Sequence, residues 1–280
     1  MGRLLRRVLL AIGMGCIVLY CAAVAWLMWH ESAIVFAAPR ELGARRPAAP
    51  FEQIELPRDD QARQFAWAMR SRADGDTRPW ILYLHGNSST IAHRMNIVHY
   101  EHFRALGLNM FAPEYRGFAG LDGVPTERSL DVDARVAYDY VRSTLHVPPE
   151  RVIIYGWSLG SAVAVDLASH VDESALILEG APASLVAVGQ RLYPFMPIGL
   201  VMRNPFESIT KIRDVDSPVL FLHSREDEVI PFEEGRRLYD AAQPPKTFVE
   251  VRGGHVYASE RDPQFFPAIR EFLSTRHLLP

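Results

Sequence analysis

The chain opens on one long apolar run and then turns to short apolar blocks separated by amphipathic stretches. Val8 to Trp29 carries no charged residue. That length matches the ~20 residues a helix needs to cross ~30 Å of hydrocarbon. Trp26 and Trp29 stand at one end, where an aromatic belt belongs, and Arg3, Arg6 and Arg7 at the other. The positive-inside rule predicts that the arginines stay in the cytoplasm. Residues 1–30 then form a single-pass signal anchor and bind the membrane, with the rest of the chain on the extracytoplasmic side. Ala23-Val24-Ala25 has the small-x-small form of a cleavage site, so a secreted form is the alternative. The apolar run continues past it to Trp29, which favours retention. A buried helix is the third reading, and neither cysteine follows a convincing lipobox.

Residues 31–60 read as a connector, with Pro39, Pro47, Pro50 and Pro57 and an extended Arg45–Pro50 stretch. A first strand is expected to begin near Ile54–Leu56. From there, apolar runs predict strands over 80–84, 108–112, 151–155, 175–178, 219–222 and 247–251. They are continuous rather than alternating, as in strands covered on both faces. Amphipathic stretches such as Ser129–Leu145 and Ser161–Ser169 lie between them. Strand–helix alternation predicts an α/β domain over 61–280, with a mostly parallel central sheet flanked by helices. Active sites in such sheets gather at the carboxyl ends of the strands.

The 280 residues carry 30 basic and 33 acidic side chains, a net charge of −3. Nothing in that balance supplies the basic face of a nucleic-acid binder. Cys16 and Cys21 are the only cysteines and both lie in the apolar run. The remainder therefore has no disulfide, thiol nucleophile or cysteine metal site.

Gly156-Trp157-Ser158-Leu159-Gly160 is a G-x-S-x-G between a predicted strand and a helix of small residues. That context turns a weak motif into a nucleophile elbow with Ser158 exposed at the turn. Its plainer reading is an ordinary glycine-rich helix start. Acyl transfer also needs two backbone N–H groups aimed at the developing oxyanion. Leu159, after the nucleophile, is one candidate. Asn87, in His85-Gly86-Asn87 after the 80–84 strand, is the other, with an Asn-capped turn as its plainer reading. His85 is expected to orient this loop. In chain order the acid follows the serine, then the histidine. Asp227 is the candidate acid, with Glu226 and Glu228 as competitors, and His255 after Gly253-Gly254 is the candidate base. His93, His99 and His102 share one predicted helix; without acidic or cysteine partners at matching spacing they read as a solvated face, and no metal is called for.

These residues together resemble the Bem46-like α/β hydrolases, a family that includes the α/β-hydrolase domain-containing proteins 13 and 17. The likeness runs from about Ala33 to the C-terminus and includes Ser32–Phe36, His85-Gly86-Asn87, Glu114–Phe118 and Gly123–Glu127. Glu114 stands where the family usually has Asp, Ala119 and Leu121 where Gly and Ser are common, Ser88 where Ala or Gly is frequent, and Val256-Tyr257 where polar residues are frequent. The resemblance implies the α/β-hydrolase fold and esterase, thioesterase or lipase-like activity without a cofactor.

The connection between the fourth and fifth of those strands is unusually apolar and is expected to form a cap over about 183–213. Leu192, Tyr193, Phe195 and Met196 are its candidate substrate contacts, lining a pocket for a small-molecule or lipid-like acyl group. Plain packing on the sheet is the alternative. The same serine, acid and base could serve a peptidase or an acyltransferase. A membrane-tethered binding protein that has lost catalysis is the reading from a different class.

Overall fold

Gly2–Val35 forms a single helix, α1, in the computed structural model, which describes residues 2–58, 62–71 and 77–279. It runs past the expected anchor limit at residue 30 and is apolar and long enough to cross a membrane. The expected border between connector and domain, at 60/61, falls outside the described residues.

Eight strands follow: β1 (Phe51–Glu55), β2 (Phe65–Met69), β3 (Trp80–Leu84), β4 (Asn109–Pro113), β5 (Val152–Trp157), β6 (Ala175–Glu179), β7 (Val219–Ser224) and β8 (Lys246–Val251). The helices after α1 are α2 (Arg94–Ala105), α3 (Glu127–Ser143), α4 (Leu159–Ala168), α5 (Leu185–Leu192), α6 (Ile198–Val201), α7 (Ser208–Lys211), α8 (Phe232–Ala241), α9 (Gly254–Arg261) and α10 (Phe265–Ser274). The strands form one sheet in the order β1-β2-β4-β3-β5-β6-β7-β8. The β1–β2 and β2–β4 pairs are antiparallel and all the others parallel. The parallel part follows from helices that return the chain between strands.

Alternate residues of each central strand enter two separate cores. Leu82, Leu84 and Ile154 join Leu130 and Ala134 of α3, Val163 of α4 and Leu238 of α8. Ile81, Tyr83, Ile153 and Tyr155 join Tyr100 and Phe103 of α2 and Phe265 and Ile269 of α10. With both faces covered, a strand has no position that favours a polar residue, hence the continuous apolar runs. The 65–69 strand was not among the expected ones, although all five of its residues are buried. The first strand covers 51–55 rather than starting at 54.

Candidate active site

β5 enters α4 through Ser158, whose φ of 55° and ψ of −120° are strained for a residue with a Cβ. The turn is held on both sides: Ser158 N–H donates to the Glu179 carbonyl at 2.8 Å, and Ser161 N–H to the Ser158 carbonyl at 2.9 Å. Gly160 makes the turn possible, because a Cβ there would sit 2.1 Å from the Leu84 carbonyl oxygen. α4 therefore starts in direct contact with the end of β3 and with the His85-Gly86-Asn87 loop.

His255 Nε2 lies 2.7 Å from Ser158 Oγ, and its Nδ1 lies 2.7 Å from Asp227 Oδ2. All three residues are largely shielded from water. The other oxygen of Asp227 accepts the N–H groups of Val229 and Ile230 at 2.9 and 2.7 Å, fixing the carboxylate plane. The neighbouring acids have different partners. Glu226 accepts Gly253 N–H at 3.0 Å and Glu228 accepts His255 N–H at 3.1 Å. They hold the backbone of the histidine loop, while Asp227 alone of the three faces the imidazole. Gly254, at φ +73°, leaves room for this; a Cβ there would sit 2.8 Å from Glu228 Oε2.

Asn87, Ser158 and Leu159 line one apolar cavity of about 320 Å³. Leu159 is the first residue of α4, so its N–H has no acceptor within the helix. Asn87 donates its side-chain amide to the Val35 carbonyl at 2.5 Å. His85 is completely buried, with Nε2 2.8 Å from Glu114 Oε1 and Nδ1 2.9 Å from the Gly86 carbonyl. That ring is tied on both sides. The larger Glu114 also accepts Ile91 N–H and Tyr115 N–H, both at 3.1 Å, so it fixes the loop through two backbone amides as well.

Of the expected cap contacts, Leu192 and Tyr193 line the cavity. Phe195 and Met196 are not among its lining residues, and Phe195 is 88% exposed. The other walls come from Leu185 and Val188 of α5, Val229 and Ile230 beside Asp227, and the end of α1: Leu27, Met28, Glu31, Ile34 and Val35. The α1 wall was missed in the sequence. Its signal was Glu31, a carboxylate two residues beyond an uncharged apolar run, spaced four residues from both Leu27 and Val35 on one helix face.

The three histidines do not form one solvated helix face, and His93 is the N-cap of α2 rather than part of it. His102 is exposed, but His99 is buried, stacked on Phe265 with its Nδ1 2.6 Å from the Tyr83 hydroxyl. Burial, with a smaller effect of His102, lowers its pKa to about 3, so the ring is neutral. The spacing hid this because His99 faces the sheet together with Met95 and Phe103. Below the serine turn, Tyr155 donates its hydroxyl to Glu179 Oε2, and His99 Nε2 stands 3.7 Å from the same oxygen. Burial first, and then the Asp227 charge, raises the Glu179 pKa to about 8 against the hydrogen bond from Tyr155.

No family model matches the chain. It is 34% identical over 212 residues to an uncharacterised protein of Mycobacterium tuberculosis, covering 73% of each chain. It is 30% identical over 207 residues to the human α/β-hydrolase domain-containing protein 17B, covering 72% of this chain and 69% of that one. Against protein bem46 of Schizosaccharomyces pombe the identity is 28% over 231 residues, covering 78% and 77%. Among solved structures, the Pyrococcus furiosus esterase Pf2001 superposes with a TM-score of 0.71 at 18% identity, covering 85% of this chain and 98% of that one. Est1E from Butyrivibrio proteoclasticus, bound to ferulic acid, gives 0.69 at 15%, covering 80% and 99%.

Proposed function

Because this chain belongs to the α/β-hydrolase family of the domain-containing protein 17B and bem46, we propose that it is a serine hydrolase that cleaves carboxylic esters or thioesters. The observation that carries this reading is the Ser158–His255–Asp227 relay, with both of its links at 2.7 Å.

Ser158 Oγ attacks the acyl carbon while His255 Nε2 takes its proton. Asp227 holds Nδ1–H and stabilises the imidazolium that forms. The carbonyl oxygen becomes an oxyanion facing the N–H groups of Leu159 and Asn87, donors fixed before the reaction begins. Collapse breaks the bond to the alkoxide or thiolate leaving group, which takes the proton from His255. Water, deprotonated by the same nitrogen, then releases the acid and regenerates Ser158. No step calls for a metal or a cofactor. The apolar cavity suits a small-molecule or lipid-like acyl chain, with Leu192 and Tyr193 among its contacts. α1 acts as a retained signal anchor, its arginines in the cytoplasm and the hydrolase domain on the other side.

A fluorophosphonate probe tests the reading. It is expected to label the wild-type chain and not Ser158→Ala. Absence of label on a folded wild-type chain overturns the serine mechanism. A panel of ester, thioester and peptide substrates separates the proposed activity from a peptidase on the same residues.

A further inference from the structure

α1 has 34 residues, a length of about 51 Å at ~1.5 Å per residue, well beyond the ~30 Å of a bilayer core. Its last turns are part of the hydrolase domain. Glu31, almost fully buried, accepts the N–H of Arg203 at 2.7 Å, the Arg203 Nε–H at 2.7 Å, the Asn204 N–H at 2.9 Å and the Asn204 side-chain amide at 3.1 Å. These bonds fasten the helix to the segment just after α6.

Contact with the cap also extends far back along the helix. The Tyr20 hydroxyl donates to the Phe195 carbonyl at 2.9 Å. Tyr20 lies nine residues before Trp29, or about 13 Å along the axis. Within hydrocarbon a tyrosine hydroxyl has no water to bond, so it needs a protein acceptor, and the cap supplies one. The cap tip beside it is apolar and open: Leu192 is 67% exposed, Phe195 88% and Leu200 89%. Exposed groups of that kind next to a membrane-crossing helix have one favourable surrounding, the acyl chains of the same leaflet.

We infer that the cap tip is embedded in the bilayer alongside α1, and that the cavity leading to Ser158 takes its acyl ester or thioester sideways from the membrane, between Met28 of α1 and Tyr193 of the cap. The second half of this statement rests on the serine-hydrolase reading; the first does not. α1 is then a wall of the substrate site as well as an anchor, and the substrate is a membrane-resident acyl compound.

The experiment uses the full chain in phosphatidylcholine vesicles. In a Cys16→Ser, Cys21→Ser background, bimane is attached at Phe195→Cys or at Glu150→Cys, the latter just before β5 at the end of the sheet opposite Ser158. Lipid carrying a nitroxide at acyl carbon 12 is expected to quench the label at 195 at least twofold and leave that at 150 unchanged. No quenching at 195 overturns the embedding, whatever the chain catalyses. In the second arm, Met28→Trp is expected to cut hydrolysis of a vesicle-borne palmitoyl ester at least tenfold more than hydrolysis of a soluble acetate ester. Leu19→Trp, at an exposed position of the same helix, leaves both unchanged. Equal losses on the two substrates in Met28→Trp, with fluorophosphonate labelling of Ser158 intact, overturn the sideways route. Loss of labelling in the wild-type chain instead removes the serine-hydrolase reading and leaves the quenching result standing.

Discussion

Asn87 caps α1: its side-chain amide donates to the carbonyl of Val35, the last residue of that helix, at 2.5 Å. Carbonyls in the last turn of a helix have no acceptor role within it, and this one is satisfied by the loop that carries a proposed oxyanion donor. Asn87→Ala keeps the backbone N–H and removes only the tether. The kcat for a short ester is expected to fall between about 10- and 100-fold, less than deletion of an oxyanion donor costs. An unchanged kcat would show that the loop holds its place without α1.

The three adjacent acids can be separated by their partners. Asp227→Asn leaves the shape of the site but presents an amide where His255 Nδ1 needs an acceptor. A loss of about 10⁴ in kcat is expected, the scale of the equivalent change in a serine protease triad. Glu226→Gln and Glu228→Gln keep a carbonyl oxygen that can accept the Gly253 and His255 amides, so each is expected to cost about tenfold or less. Steady-state kinetics on one ester suffices, and a larger loss from Glu228→Gln than from Asp227→Asn would reassign the acid.

Glu179 links pH to stability with a sign opposite to that of an ion-paired carboxylate. Burial and the Asp227 charge raise its pKa from 4.5 to about 8 in the folded chain. Between those values the folded state holds a proton that the unfolded state has released, so stability falls as pH rises. The contribution is fully present below about 4.5 and lost by about 8. Glu179→Gln keeps the group neutral at every pH. The Tm of this variant minus that of wild type, measured in detergent, should therefore grow from pH 5 to pH 8. Asp131 and Glu173, also raised by burial to about 8 and about 7, are present in both chains and cancel in the difference. A difference that stays flat across the window would mean that Glu179 is not the buried acid responsible.

The sheet was legible because each central strand is buried on both faces, which leaves a contiguous apolar signature. β2 escaped because Phe65–Met69 holds two alanines and no β-branched residue, and follows a polar stretch containing Asp59 and Asp60. The proposed triad of Ser158, Asp227 and His255 could be picked out for another reason. Each must directly follow a parallel strand, and strand ends can be found from apolar runs. Nothing comparable marks a residue that acts through space. His99 reads as one more polar residue on α2, since the Phe265 and Tyr83 rings that enclose it come from distant parts of the chain. The α1 wall is similar: an apolar run long enough for a bilayer carries no sign that its last turns also face an enzyme cavity. Glu31 was the one residue out of character there.

The requirement for glycine after the serine can be weighed against a glycine that has room. A methyl group at 160 would lie 2.1 Å from the Leu84 carbonyl oxygen and 2.5 Å from that of His85. Both obstacles are backbone atoms, so α4 itself must retreat from the end of β3. That movement carries Ser158 and the Leu159 N–H away from the Asn87 loop. Gly160→Ala is therefore expected to cost about 3 kcal/mol or more, at the upper end of core overpacking, and to abolish fluorophosphonate labelling in whatever fraction stays folded. At Gly199, within α6, the nearest atom to an added Cβ is Val186 Cγ1 at 3.6 Å, an ordinary contact. Gly199→Ala should instead gain up to about 1 kcal/mol from the narrower backbone freedom of alanine in the unfolded chain, with labelling unchanged. Thermal unfolding and labelling of the two variants side by side make the test. If Gly160→Ala folds and labels like Gly199→Ala, the close contact between α4 and β3 is not what fixes the serine.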